Sequence, residues 1–188
     1  VHSIFNVLCA ALLFPFSGLL EKLACRLIPD SKDAAESADD KIQILDERLL
    51  ATPAVALGRC QEVAETMARI SMDAMKTSCQ LIRQYDARSA AAIRRTEGEA
   101  DQYEDMLGTY LVKLGSSDLT AQDSRTSAKI LHIIGDFERI SDHAVNVVES
   151  AEEMKSKGLR FSPEASHEMH VMTGAVGEIM DLALDAYL

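Results

Sequence analysis

Four acids in this chain are spaced to do chemistry together. Glu97 and Asp101 stand four apart in "EGEAD", and Glu138 and Asp142 stand four apart in "ERISD". Both stretches carry helical periodicity, and residues four apart are neighbours on a helix surface. Like charges placed so cost about 0.2–0.5 kcal/mol per pair. If the two pairs face each other, four carboxylates converge. Such an all-oxygen ligand set suits hard cations such as Mg²⁺, Mn²⁺, Ca²⁺ or iron, and carboxylate-bearing helices hold metal in di-iron bundles. Glu104 and Asp105 extend the first acidic side, and Asn146 and Glu149 the second. The competing reading is a solvated acidic face lying beside Arg94, Arg95, Lys129 and Arg139.

The elements that must position these acids are helices. An apolar stripe of Val55, Val63, Met67, Ile70, Ala74, Met75 and Leu81 predicts a first helix from about Pro53 to about Tyr85, with Thr52 as its N-cap and Pro53 in the first position. Ile93, Ala100, Tyr103, Leu107, Tyr110 and Leu111 predict a second, from about Ser89 to Leu114, stopped by Gly115. The third starts at the cap Thr120 and runs to about Lys157, where Gly158 ends it. Ser162 and Pro163 open a fourth that continues to the last residue. The stretch "KIQILDERLL" reads as extended or irregular, and no run after Pro29 alternates convincingly. The region is therefore all-α, and long helices joined by short turns pack as antiparallel neighbours.

The bulk composition narrows the function classes. The chain has 188 residues, 47% of them hydrophobic, which is enough for a real core. Its net charge of −11 argues against a nucleic-acid surface, which needs clustered Lys and Arg. Cys9, Cys25, Cys60 and Cys79 form no C-x-x-C and match no zinc spacing, so they read as small buried hydrophobes. No P-loop, G-x-S-x-G or G-x-G-x-x-G is present, and no nucleophile stands with a base. His167 and His170 have no neighbouring carboxylate of the E-x-x-H kind, and His143 points about 100° around the helix from Asp142. Met67, Met72, Met75, Met106 and Met154 read as core fillers.

Upstream, Ser3–Leu20 carries no charge and reaches the lower limit for a membrane-spanning helix. Lys22 and Arg26 follow it, which by the positive-inside rule places that end in the cytoplasm. A buried core helix is the rival reading. "PDSKDAAESADD", Pro29 to Asp40, reads as a polar linker. A start without Met and an end inside a helical pattern suggest a piece of a longer protein. A faint repeat aligns "MARISMDAM" with "VGEIMDLAL", matching Ile70 to Ile179, Ala74 to Ala183 and Met75 to Leu184.

"DFERISDHAVNV" resembles the third-helix signature of PhoU-like domains, and "RTEGEADQYED" resembles the partner motif on their second helix. "HSIFNVLCAALLFPF" and "LDERLLATPAVALGRC" are similar to the last membrane helix and following junction of bacterial type II sodium/phosphate cotransporters. The family's Q-S-S transport motifs are missing. The resemblance implies a transmembrane or interfacial helix over 1–28, a linker over 29–52, an antiparallel three-helix PhoU-like bundle over 53–160, and the first helix of a truncated second bundle over 161–188. It implies metal ligands Glu97, Asp101, Glu138 and Asp142, with iron, Mn or Mg as the cofactor, and less certain roles for Arg139 and Asn146.

The function expected from this is non-catalytic. It is a cytoplasmic metal-binding regulatory region of a sodium-dependent phosphate transporter of the inner membrane. Its partners would be the chain's own transport domain, the membrane and, through that missing core, phosphate and sodium. Homo-oligomers are compatible with it, and nucleic acid is not. Three other readings remain open. A PhoU-type regulator of phosphate uptake signalling needs no membrane span. A carboxylate-bridged di-metal enzyme needs histidine ligands. A plain helical scaffold needs no metal.

Overall fold

The computed structural model describes residues 45–188. Ser3–Leu20, Cys9, Cys25 and most of the linker lie outside the described residues. Four helices follow in order: α1 (Pro53–Leu81), α2 (Ala87–Gly115), α3 (Ala121–Ser156) and α4 (Pro163–Tyr187). No strand occurs among the described residues. None of the described helices is long and apolar enough to cross a membrane.

Local chemistry sets the helix ends. The Thr120 hydroxyl accepts from the Asp123 backbone N–H at 3.1 Å and starts α3 as expected. Ser162 accepts from Ala165 N at 3.2 Å, with Pro163 following, to start α4. Asp86 caps α2 by accepting from Ser89 N at 2.8 Å, so that helix begins two residues before the sequence pattern suggests. Gly158, at φ +64°, ends α3 in the left-handed conformation that glycine adopts without cost. Gly115 does not use that freedom and is the last residue of α2, with Ser116 as its cap.

Four expectations at and just before the first helix need correction. Thr52 makes no side-chain cap, because its hydroxyl turns back and donates to Leu49 O at 3.2 Å. That carbonyl belongs to a 3-10 turn, Glu47–Ala51, where an extended or irregular stretch was expected; Asp46 starts the turn by accepting from Arg48 N. Val55 lies off the buried stripe, 52% exposed, while Ala56 and Leu57 take the inward places. α1 ends at Leu81, four residues short of Tyr85.

α1 is the central helix. Ala56, Cys60, Ala64, Met67 and Ala68 are buried, and Ser71 and Ser78 continue the line. Small side chains let α2 and α3 approach it closely, and each of these three helices packs on the other two. The first half of α1 shares a core with the end of α2 and the start of α3, built on Leu107, Leu111, Leu114, Ile134 and Phe137. The second half shares another with the start of α2 and the end of α3, through Ile93, Ala144 and Val148. α2 therefore runs antiparallel to both α1 and α3, as the short turns imply.

α4 is attached differently. None of its residues is buried, and it rests on α1. Val176, Met180, Leu184 and Tyr187 pack against the two cores, so the helix is not without partners. The Tyr187 ring meets Phe137 of α3 edge-on, with centroids 5.1 Å apart. Lys76 of α1 bonds Asp181, and Arg83 lies 3.3 Å from His170. The residues matched by the faint repeat differ in burial: Ala74 is inside, whereas its counterpart Ala183 faces outward.

Candidate functional site: the acidic seam between α2 and α3

Antiparallel packing of α2 on α3 brings the predicted acids to one seam. Their inward neighbours fix this. Ala100 and Tyr103 on α2, and Phe137, Ser141 and Ala144 on α3, are buried, so the acids beside them come up along the line where the two helices meet. Ser141 donates to Glu138 O at 2.8 Å and so adds no polar atom to the seam. Glu97 and Glu138 are half-buried, whereas Asp101 and Asp142 are exposed.

The electrostatics show which acids share a field. The Glu97 carboxyl is held above its ordinary range, first by partial burial and then by Asp142 across the seam and Asp101 on its own helix. The Glu138 carboxyl is also held high. Burial is again the first cause, followed by Asp142 and Glu104, a hydrogen bond with Asp142, and Asp101. Glu97 and Glu138 thus each lie in the field of both Asp101 and Asp142. Among the described residues, no ion pair joins any of the four to a cation. Arg94, a candidate neutraliser by sequence, turns away to Glu152. Arg95, Lys129 and Arg139 are exposed, as are His143 and Asn146.

Glu104 is a fifth member that the paired spacing alone did not select. It stands opposite α3, and a methyl group built at Gly135 would lie 3.5 Å from its Oε1. The signal was present in the sequence, because Glu97, Asp101 and Glu104 follow an i, i+4, i+7 spacing on one helix face. Glu104 also lines a surface groove of about 520 Å³ that continues along the seam past Gly108 and Thr109 to the exposed Val112 and Leu131. Another groove, of about 480 Å³, is lined by Leu45, Tyr103, Met106 and Tyr110 and contains none of the four acids. His167 and His170 sit on exposed α4, apart from the seam.

The donor chemistry of the seam is carboxylate oxygen throughout, which fits a hard cation and not a thiophilic one. The side chains face one another without closing on a common point. Among the described residues, no group of three or more His, Cys, Asp or Glu is gathered tightly enough to hold a metal ion.

The helices that build the seam also carry the family match. Residues 64–151 match the PhoU domain. That segment takes in most of α1, all of α2 and α3 up to Ala151, and so includes Glu97, Asp101, Glu104, Glu138 and Asp142. The whole chain is also similar to a Salmonella typhimurium protein named "Putative inorganic phosphate export protein YjbB", at 23% identity over 189 residues. The alignment covers 99% of this chain and 34% of that protein, so the chain spans about a third of its length. No solved structure matches the chain.

Proposed function

We propose that this chain is a PhoU-like, metal-binding regulatory region of a sodium-dependent phosphate transporter, held on the cytoplasmic side of the inner membrane. Its regulatory partner would be the transport core of the same protein. The observation that carries this reading is the placing of Glu97, Asp101, Glu138 and Asp142 along one seam, inside the segment that matches the PhoU domain, with no ion pair to a cationic side chain among the described residues. The phosphate-export name of the Salmonella relative supports the choice of substrate.

In this mechanism Glu97 and Asp101 from α2, with Glu138 and Asp142 from α3, would hold a hard divalent or trivalent cation. Bound there, it would supply positive charge against the repulsion across the seam. Everything downstream is done by the protein's own packing. Phe137, next to Glu138, touches Tyr187 of α4. A change in how closely α3 approaches α2 thus reaches α4 through one ring contact. No side chain here has to act as nucleophile or base.

The test is a set of thermal melts of the chain with Mg²⁺, Mn²⁺ or chelator. A cation that binds only the folded state adds about 2.7 kcal/mol at a hundredfold excess over Kd. At least one of these cations should raise the melting temperature and chelator should reverse it. The double change Glu138→Gln with Asp142→Asn should abolish the rise. A rise that survives this double change would sink the metal reading.

A further inference from the structure

We propose that residues 41–44 strap the chain to α2: Ile42 and Ile44 fill the apolar groove beside Tyr103, Met106 and Tyr110, and Lys41 meets Glu99 at its far rim. The groove, of about 480 Å³, is apolar along its floor. Its rim carries Glu47, Glu99 and Asp105 against the cation of Lys113, which bonds Glu47. An occupant that suits such a groove is apolar with a positive end.

The chain itself runs into this groove. Lys113 holds Glu47, and the Tyr110 hydroxyl donates to Asp46 O at 2.9 Å. Leu45, which is buried, comes next and lines the groove with Tyr103 and Met106. Three successive residues thus step along α2 toward its start, and the residues that precede them are Lys41, Ile42, Gln43 and Ile44. Ile42 and Ile44 alternate with polar neighbours, the pattern of an extended segment with one apolar side. The chain bends at Leu45, which breaks the alternation there and lets Leu45 face inward too. Reach agrees with this course. From Lys113 back to Glu99, α2 spans about 21 Å at its helical rise. The extended steps from Glu47 back to Lys41 span about 20 Å. Lys41 is the one basic residue between 33 and 47, and that reach brings it to the end of the groove where Glu99 accepts from the Tyr103 hydroxyl. Glu97 and Asp101 lie on the same turns of α2 as Glu99 and Gln102. The strap thus ties the upstream part of the chain to the helix that supplies half of the acidic seam. That use rests on the metal-binding reading above; the docking itself does not.

The test is NMR on the full chain in detergent micelles, labelled at isoleucine methyls and tyrosine rings. The Ile42 and Ile44 methyls should show nuclear Overhauser contacts to the Tyr103 and Tyr110 rings. In the variant Ile42→Ser with Ile44→Ser, amide exchange over 43–46 should quicken about tenfold or more, because the burial of both side chains is lost. Lys41→Glu should weaken the remaining contacts, and adding Glu99→Lys should restore them. Absence of the isoleucine–tyrosine contacts, unchanged exchange in the serine variant, or failure of the double charge reversal would overturn the proposal. So would tyrosine contacts to detergent acyl protons or to residues before 37, which would assign the groove to another occupant. Contacts that persist in a chain showing no metal response would sink the metal-binding reading and leave the strap standing.

Discussion

Two stretches of the seam between α2 and α3, one end and the middle, differ in one respect. At one end Arg94 donates to both oxygens of Glu152, at 2.9 and 2.8 Å. The Tyr85 hydroxyl donates to the same carboxylate at 3.0 Å, and the Lys155 ammonium sits 4.4 Å from the centre of the Tyr85 ring. Glu152 is accordingly held below its ordinary range, by the Arg94 hydrogen bonds first and then by Tyr85. In the middle of the same seam, Glu97 and Glu138 are held above theirs. Same helices, same interface, opposite shifts: Glu152 has a cationic partner within the protein, and Glu97 and Glu138 have acids for neighbours.

The largest effect should come from neither stretch but from the layer beneath both. Leu107 is fully buried between the helices, and Leu107→Ala should cost about 2–5 kcal/mol in denaturant unfolding. Loss of that size without metal, at any pH near neutral, would place the bundle's stability in packing. A much smaller loss would mean that charge matters more than this comparison allows.

The next effect separates the two stretches by pH. A carboxyl whose folded pKa is raised lends stability below its unfolded value, and this is lost as pH rises through the folded value. Glu97 and Glu138 therefore weaken the cation-free bundle at neutral pH. Glu138→Gln should melt higher than the parent at pH 7 in chelator, by roughly 0.2–0.5 kcal/mol for each like-charge neighbour relieved. That advantage should vanish as the pH falls below the ordinary glutamate value of 4.5. Glu152 has the opposite sign. Its contribution is present above the unfolded value and fades as pH falls through its lowered one, so Glu152→Gln should be harmful at pH 7 and neutral in acid. Matching pH profiles for the two variants would erase the distinction.

The smallest effect belongs to the paired end itself. Arg94 is exposed and Glu152 only half-buried, and ion pairs open to solvent contribute little. Arg94→Ala should lower the melting temperature slightly, by an amount that shrinks further in about 1 M salt. It should leave any metal response unchanged, because Arg94 does not face the four acids.

Most of the helical framework was legible in the sequence. Thr120, Ser162 and Gly158 mark helix ends by chemistry that acts within a few residues. The stripes of α2 and α3 follow from the 3.6-residue period. The parts that were not legible depend on contacts distant in sequence or on competing local bonds. Thr52 had two possible partners, and the backbone turn at Glu47–Ala51 presented Leu49 O to it. Val55 fits an apolar period, yet the face that packs is fixed by Ala56, Cys60 and Ala64, where small size matters more than hydrophobicity. At the seam, the two spacings correctly picked acids that share a field. Choosing Arg94's true partner required knowing which turn of α3 lies opposite, and that register comes from packing.

The central claim is that the middle of the seam is built for an external cation. Carboxyl-carbon NMR titration of Glu97 and Glu138, with and without Mg²⁺, tests it most directly. Without the ion both should titrate above 4.5, because burial and the neighbouring acids disfavour their charged forms. With saturating Mg²⁺ both should titrate below it, because a bound cation favours the carboxylate. If both carboxyls titrate at the ordinary value, and Mg²⁺ does not move them, the seam is a solvated acidic face.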